Sequence, residues 1–366
     1  MDLRRQTADG QVIANFNLHE PGPQAPDRLT RLIRHLGRHR QETEIRHCFN
    51  IVCRESLQPG AGWSSLNADG TPVQFALSLL EGQRPAFEFV GEAFHPHMDY
   101  SARRAFGLET MTCLSHAIGL KEQFATVKLQ LETLADGEPA GDWEDPAGAF
   151  WMGAAFAPAD PISMMVYVNA RRGPEKTRLK RLLQFARSSA PKAEWLPVFE
   201  AAEAGGLNPL GAGLRIGRHA HSHTRVYFGA YGVKPDDYRR WFRQAGAGEP
   251  FDGSLAIFFE QTLRTRLAFP TQSGVFSFGV NGSGEWSPKL ELCGHCTWKT
   301  DHETASGCVT WLRRLRIDAD LYRGALQILT HNNESQQSAV HAYIGVGTKH
   351  AKPYASIYFN PGRMVL

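Results

Sequence analysis

Five side chains that share one face of an extended segment, His219, His221, His223, Arg225 and Tyr227, are the first in this chain whose types and spacing suggest chemistry. A strand turns every second side chain to the same side, so the run reads as one polar row. Similar rows recur: Gln74, Ala76 and Ser78; Met165, Tyr167 and Asn169; Tyr354, Ser356 and Tyr358. Such rows face either water or a wet cavity, and their recurrence in four segments favours the cavity. An interior with tyrosines, a few cations and neutral hydrogen-bonding groups suits a reaction that releases a diphosphate and exposes an allylic cation. Basic groups must hold the leaving anion, because an uncompensated buried charge costs more than folding can supply. Aromatic faces stabilise a cation by roughly 0.5 to 2 kcal/mol each and shield it from water.

Other chemistries compete for the same residues. Alternate histidines on a strand can present two or three nitrogens to one ion. No acidic fourth partner is evident, so no metal site is assigned and no cofactor is required, magnesium being optional. Asp236-Asp237 stands alone rather than in an aspartate-rich D-D-x-x-D cluster, and it serves the start of a helix better than a magnesium ion. Cys293-Gly294-His295-Cys296 has dithiol spacing, but it follows the strand-like run Pro288 to Leu292 instead of opening a helix, where the first thiol would be activated. The six cysteines form no disulfide framework in 366 residues, which suits a reducing compartment.

The elements that must position these rows follow a repeating order. Leu29, Leu32, Ile33 and Leu36 fall at helical spacing behind Pro26-Asp27. Thr71 to Leu80 and Pro85 to Glu92 read as a strand pair around Gly82, followed by a helix over Ala102 to Leu120. Further pairs are expected at 150–157 with 163–170, 214–219 with 224–230, 274–280 with 289–296, and 339–347 with 353–360. Helices are expected between them at 174–187, 235–244, 303–316 and 319–329. Pairs of strands alternating with helices do not suit a parallel sheet, whose strands alternate singly with helices. The expected fold is α+β: a single ten-stranded antiparallel β-barrel surrounded by helices in an αββα repeat, with a lumen wide enough for small ligands. One domain over 1–366 is expected, with 1–60 a helical segment packed on its outside.

Composition narrows the partners. The sequence is 42% hydrophobic and 21% charged, typical of a chain that buries a large core. Its 40 basic and 37 acidic residues leave a net charge of +3 with no long block of one sign, which gives nucleic acid or a membrane surface no purchase. No apolar run follows Arg4 and Arg5, so a cytoplasmic protein, monomer or homodimer, is expected.

These segments together resemble the bacterial and fungal indole prenyltransferases of the dimethylallyltryptophan synthase type. Ser65 to Ala76 looks like that family's entry into its first hairpin, Met165-Val166-Tyr167-Val168-Asn169 like its K-x-Y strand, and Arg225-Val226-Tyr227 like its R-x-K-x-Y strand. Lys352-Pro353-Tyr354-Ala355-Ser356-Ile357-Tyr358 is similar to its closing strand, and coverage runs from about residue 63 to the end. The resemblance implies a ten-stranded barrel in bacterial secondary metabolism that prenylates an indole, tryptophan-like or phenolic acceptor from an allylic diphosphate. It makes Tyr167, Tyr227 and Tyr358 shields of the cation and Arg225 a ligand of the diphosphate. His223 falls where the family uses arginine; His221, Lys289 and Tyr354 join the anion-binding set, with Arg84, Arg171 and Arg172 as further candidates. Gln74 stands at the place of the family's proton-accepting glutamate, where its amide can only orient an acceptor. Met165 replaces a lysine, and Glu88 stands where an arginine is usual. Two other readings remain open: a diverged barrel without diphosphate chemistry, acting as a cyclase, an isomerase or a histidine–metal hydrolase, and a binding protein for aromatic metabolites.

Overall fold

A computed structural model of the chain describes residues 24–58, 64, 66–67, 71–95, 97–136, 148–157, 161–218, 223–230, 235–244, 253, 257–258, 274–293, 301–330, 340–349 and 352–360. Ten strands form a closed antiparallel barrel: β1 Val73–Leu80, β2 Ala86–Gly91, β3 Phe150–Phe156, β4 Ser163–Asn169, β5 Asn208–Ile216, β6 His223–Ala230, β7 Gly274–Asn281, β8 Lys289–Cys293, β9 His341–Lys349 and β10 Lys352–Phe359. Every strand pairs with its sequence neighbours, and β1 closes the ring on β10 through register partners such as Phe75 with Phe359 and Ala76 with Tyr358. Around it lie α1 Gln24–His35, α2 Glu42–Cys53, α3 Tyr100–Ala117, α4 Lys121–Ala135, α5 Glu175–Ser189, α6 Trp195–Ala204, α7 Pro235–Gln244, α8 Asp301–Arg314 and α9 Ala319–Thr330.

The apolar core lies between barrel and helices. On β1, Val73, Phe75, Leu77 and Leu79 alternate outward and are fully buried. Phe49 of α2 packs its ring against Phe75 and Phe89, at centroid distances of 5.9 and 5.5 Å. Farther round, Phe199 of α6 meets Phe228 at 5.6 Å, Trp241 of α7 meets Phe276 at 5.4 Å, and Tyr322 of α9 stacks on Phe359 at 6.2 Å. The helix ring also joins its two ends. The His35 ring of α1 reaches the carbonyl of Leu321 in α9 at 3.0 Å, and Gly324 leaves room for it.

The strand pairs and most helices follow the sequence expectation to within a few residues. The third pair does not: β5 begins at Asn208, six residues before Leu214, and ends at Ile216. Asn208-Pro209-Leu210-Gly211-Ala212-Gly213 carries turn-type residues, yet the register shift between Pro209 and Gly211 absorbs the proline and both glycines face the lumen. Helices α2, α4 and α6 are additional to those read from spacing. Asp236 and Asp237 lie in the first turn of α7, where they pair with Arg239 and Arg240 at 3.0 and 2.8 Å. His219, His221 and residues 294–296 of the dithiol segment fall outside the described residues. No helix among those described is long and apolar enough to cross a membrane.

Because the core is outside the barrel, truncations on the two strand faces should differ. Phe87, fully buried between Phe75 and Phe156 on the outer face, is expected to cost about 3–5 kcal/mol as Phe87→Ala. Ser78→Ala, on the inner face of β1, is expected to change stability by no more than about 0.5 kcal/mol. Urea unfolding of the two variants checks both values.

Candidate active site

The inner faces of the even-numbered strands converge. Glu88 comes from β2, Tyr167 from β4, Arg225 and Tyr227 from β6, Lys289 and Glu291 from β8, and Tyr354 and Tyr358 from β10. These strands are spread around the whole ring, so side chains that interact between them do so across the lumen. Tyr167 feels Tyr227, Glu88 and Glu291; Tyr358 feels Glu291, Tyr167 and Glu88. The rings of Tyr167 and Tyr227 lie 5.8 Å apart and tilted, and Tyr343 of β9 meets Tyr358 edge-on at 6.2 Å.

Glycines on the inner face of intervening strands make this convergence possible. A Cβ at Gly213 would lie 3.1 Å from the Tyr167 ring and 3.2 Å from that of Tyr227. At Gly279 it would come within 2.4 Å of the His223 ring and 2.7 Å of the Arg225 guanidinium. Gly347 likewise lies beneath the ring of Tyr354. Over these glycines the rings and the guanidinium lie against bare backbone.

Three strong cations sit here, each held differently. Arg225, buried, donates from Nη1 to Ser277 Oγ at 2.9 Å and from Nη2 to Ser287 Oγ at 3.2 Å, with His223 Nε2 at 3.4 Å. Ser277 and Ser287 bring no charge to it; burial works to lower its pKa, and Tyr354, Tyr227 and Glu291 more than offset that. Lys289 donates to Tyr358 Oη at 2.6 Å, lies 4.7 Å above the same ring, and pairs with Glu291 Oε1 at 2.6 Å. Arg215 of β5 reaches across β3 and β4 to Glu88. Burial works to lower the Arg215 pKa, but Glu88 beside it more than offsets that and holds the guanidinium above its ordinary value.

Of the residues singled out by sequence, Tyr167, Tyr227, Tyr358, Arg225, His223, Lys289 and Tyr354 are brought to the lumen. Gln74 faces the same side as Ala76 but is tied to the wall: its Nε2 donates to Leu66 O at 3.2 Å and to Asn67 Oδ1 at 2.5 Å. Its two amide hydrogens are therefore committed to the wall. Arg84 and Arg171 are exposed, and Arg172 stacks on Tyr100 of α3 at 3.7 Å, so none of these three supplements the lumen charge. His221 is outside the described residues. Spacing alone missed Arg215, Glu291 and Tyr343. The available signal was that Glu88 and Glu291 are the acidic residues within the ten strands, both on the polar parity. Among the described residues no cluster of three histidine, cysteine or acidic side chains could hold a metal ion.

No protein-family model matches the chain, and no curated protein matches it in sequence. Its fold has close solved counterparts. A 5-dimethylallyl tryptophan synthase from Streptomyces coelicolor, in complex with DMASPP and Trp, superposes with a TM-score of 0.79 at 17% identity over 94% of this chain and 97% of its own. PriB, in a binary complex with product diphosphate, gives 0.78 at 18% over 94% and 96%. A 6-dimethylallyltryptophan synthase from Micromonospora olivasterospora gives 0.75 at 15% over 94% and 98%. The chain has the barrel fold of these tryptophan prenyltransferases.

Burial pushes the phenols of Tyr167, Tyr227 and Tyr358 above their ordinary value of 10.0; neighbouring lumen oxygens add to the shift, and at Tyr227 Arg225 offsets part of it. Above pH 10 the unfolded phenols lose protons that the folded ones keep. Their contribution is complete below that pH and is lost as pH rises, by up to about 1.4 kcal/mol per group per pH unit. Urea midpoints between pH 9 and 11 are expected to fall for the wild type and to fall less steeply when all three tyrosines are replaced by phenylalanine.

Proposed function

We propose that this chain transfers a prenyl group from an allylic diphosphate to an aromatic acceptor, indole-like or phenolic, by electrophilic substitution on the ring. The observation that carries it is Arg225: a buried guanidinium held by Ser277 and Ser287, inside a lumen to which β4, β6 and β10 contribute Tyr167, Tyr227 and Tyr358. A buried cation with neutral partners is an anion site in waiting, and tyrosine faces around it suit the cation formed when that anion departs. The solved counterparts bound to diphosphate, or to DMASPP and Trp, support the same substrate pair.

In this reading Arg225 takes the diphosphate, with His223, Lys289 and Tyr354 beside it and His221 as a further contributor. At an effective dielectric near 20, a cation about 4 Å from a unit negative charge contributes on the order of 4 kcal/mol. Developing charge on the leaving group is stabilised more than the intact substrate is, which is what accelerates the step. Lys289 is positioned to follow it, since its ammonium can exchange Tyr358 Oη and Glu291 for a diphosphate oxygen. Tyr167, Tyr227 and Tyr358 remain un-ionised through neutral pH, so they present neutral rings to the cation and keep water from capturing it. One domain holding the whole site, working as a monomer or homodimer without a required metal, completes the proposal.

A second reading, retention of an aromatic ligand without turnover, is favoured by one observation. Glu88 and Glu291 already neutralise Arg215 and Lys289, which leaves the lumen less cationic than a diphosphate of about three negative charges would prefer.

The deciding measurement is thermal stability with dimethylallyl or geranyl thiolodiphosphate, with and without magnesium. Ligand at about 100 times Kd is expected to add about 2.7 kcal/mol, without magnesium. Arg225→Ala is expected to weaken binding about tenfold or more, because it removes a charged hydrogen-bonding partner. No response to either diphosphate at millimolar concentration, together with stabilisation by L-tryptophan, would select the binding reading.

A further inference from the structure

Electrophilic substitution on an aromatic ring must end with loss of a proton, and the Gln74 amide, whose Nε2 is bonded to Leu66 and Asn67, is not a base that can accept one. Resting on the reaction just proposed, we infer that Glu88 of β2 is the proton acceptor and marks the side of the lumen where the aromatic acceptor lies.

Two observations converge on it. The first is the distribution of bulk around the barrel. From β6 to β10 the inner wall carries Arg225, Tyr227, Lys289, Glu291, Tyr354 and Tyr358. From β1 to β5 it carries Met165, Tyr167 and Arg215 on β4 and β5, but the positions around Glu88 are small: Ala76, Ser78, Ala86, Gly153, Ala155 and Ser163. Glu88 stands in the middle of this second wall, in register with Ala76 on one side and Ala155 on the other. A planar ring can lie against such a wall with its edge toward the carboxylate. Trp151 and Tyr167, paired across β3 and β4, supply aromatic faces on the same inner surface, four positions farther along the strands.

The second is the placement of carboxylates. Glu88 and Glu291 are the acidic residues of the ten strands. Glu291 is paired with Lys289, on the wall that carries Arg225 and would take the diphosphate. Glu92, just beyond β2, is enclosed by Ser64 and Arg103 and is only 1% exposed. Glu88 is held by Arg215, which reaches it from β5 across β4 and β3 and fixes its carboxylate from that side, opposite to Ala76 of β1. Arg215 is thus a positioning residue.

The step balances as follows. A ring carbon of the acceptor forms the new bond to the allylic carbon, while the allylic C–O bond breaks and its electron pair leaves on the diphosphate oxygen. The proton on the substituted ring carbon passes to Glu88, and from there to solvent.

The test uses the full chain with dimethylallyl diphosphate and, as acceptor probes, L-tryptophan, indole and L-tyrosine, alongside calorimetry with dimethylallyl thiolodiphosphate. Glu88→Gln is expected to lower kcat by 10²- to 10⁴-fold and to abolish the acid limb of the pH–rate profile. Thiolodiphosphate binding should be no weaker than in the wild type. Glu88→Asp is expected to recover part of the rate and the acid limb, which a purely structural role would not predict, and it carries the test alone should Glu88→Gln fail to fold. Glu291→Gln is expected to tighten thiolodiphosphate binding and keep the acid limb. A Glu88→Gln variant within threefold of wild-type kcat, or loss of the acid limb in Glu291→Gln instead, overturns the role of Glu88 and leaves the prenyl transfer standing. A wild type that binds no thiolodiphosphate, or binds it and prenylates none of the three probes, overturns the reaction as proposed and this inference with it.

Discussion

Every strand of this barrel has two faces, and the ring of helices can cover only one of them. That constraint organises the molecule. Phe75, Phe87, Phe89, Phe228, Phe276 and Phe359 turn outward into contact with helix side chains or one another, so the burial that stabilises the fold happens between layers. The inner face is released from that duty and can carry tyrosines, cations and carboxylates. Closure is what makes this tolerable: with β1 paired to β10 no strand edge is left open, and polar groups inside answer to one another.

The interior then becomes a problem of charge rather than of packing. Two of its three strong cations are matched by carboxylates, Arg215 by Glu88 and Lys289 by Glu291, while Arg225 is held by hydroxyls and His223. Buried ion pairs of this kind contribute little to net stability, since desolvation offsets much of the attraction. Their consequence is selectivity of place. Arg225 has hydroxyls at its nitrogens, while Arg215 and Lys289 are each held by a carboxylate.

Glycine is the second device, and it works through what it omits. Gly213, Gly279 and Gly347 each lie under a side chain of the site, and in each case a methyl group would press on a ring or a guanidinium. Glycine in a strand interior costs roughly 0.5–1 kcal/mol relative to alanine. Here it lets Tyr167, Tyr227, Arg225 and Tyr354 lie against the wall. Gly211 and Gly213, with Pro209, give the first half of β5 the composition of a turn.

Alternation by itself determined much of this protein. The strand pairs, the separation of polar from apolar parity, and the placing of Tyr167, Tyr227, Arg225 and Tyr358 on polar faces all follow from a period of two, because neighbouring side chains on a strand must point in opposite directions. Alternation could not say which face was inside, since a polar row suits water as well as a lumen. Nor could it say which row meets which: Glu88 and Arg215 are 127 positions apart in sequence and brought together by the registers of β2, β3, β4 and β5. Tertiary structure decided those questions. It moved Arg84 and Arg171 to the surface, tied Gln74 to Asn67, and brought Arg215, Glu291 and Tyr343 into the site. The physical reason is that register and closure are set by the sum of all strand pairings and helix contacts, a quantity no single segment carries.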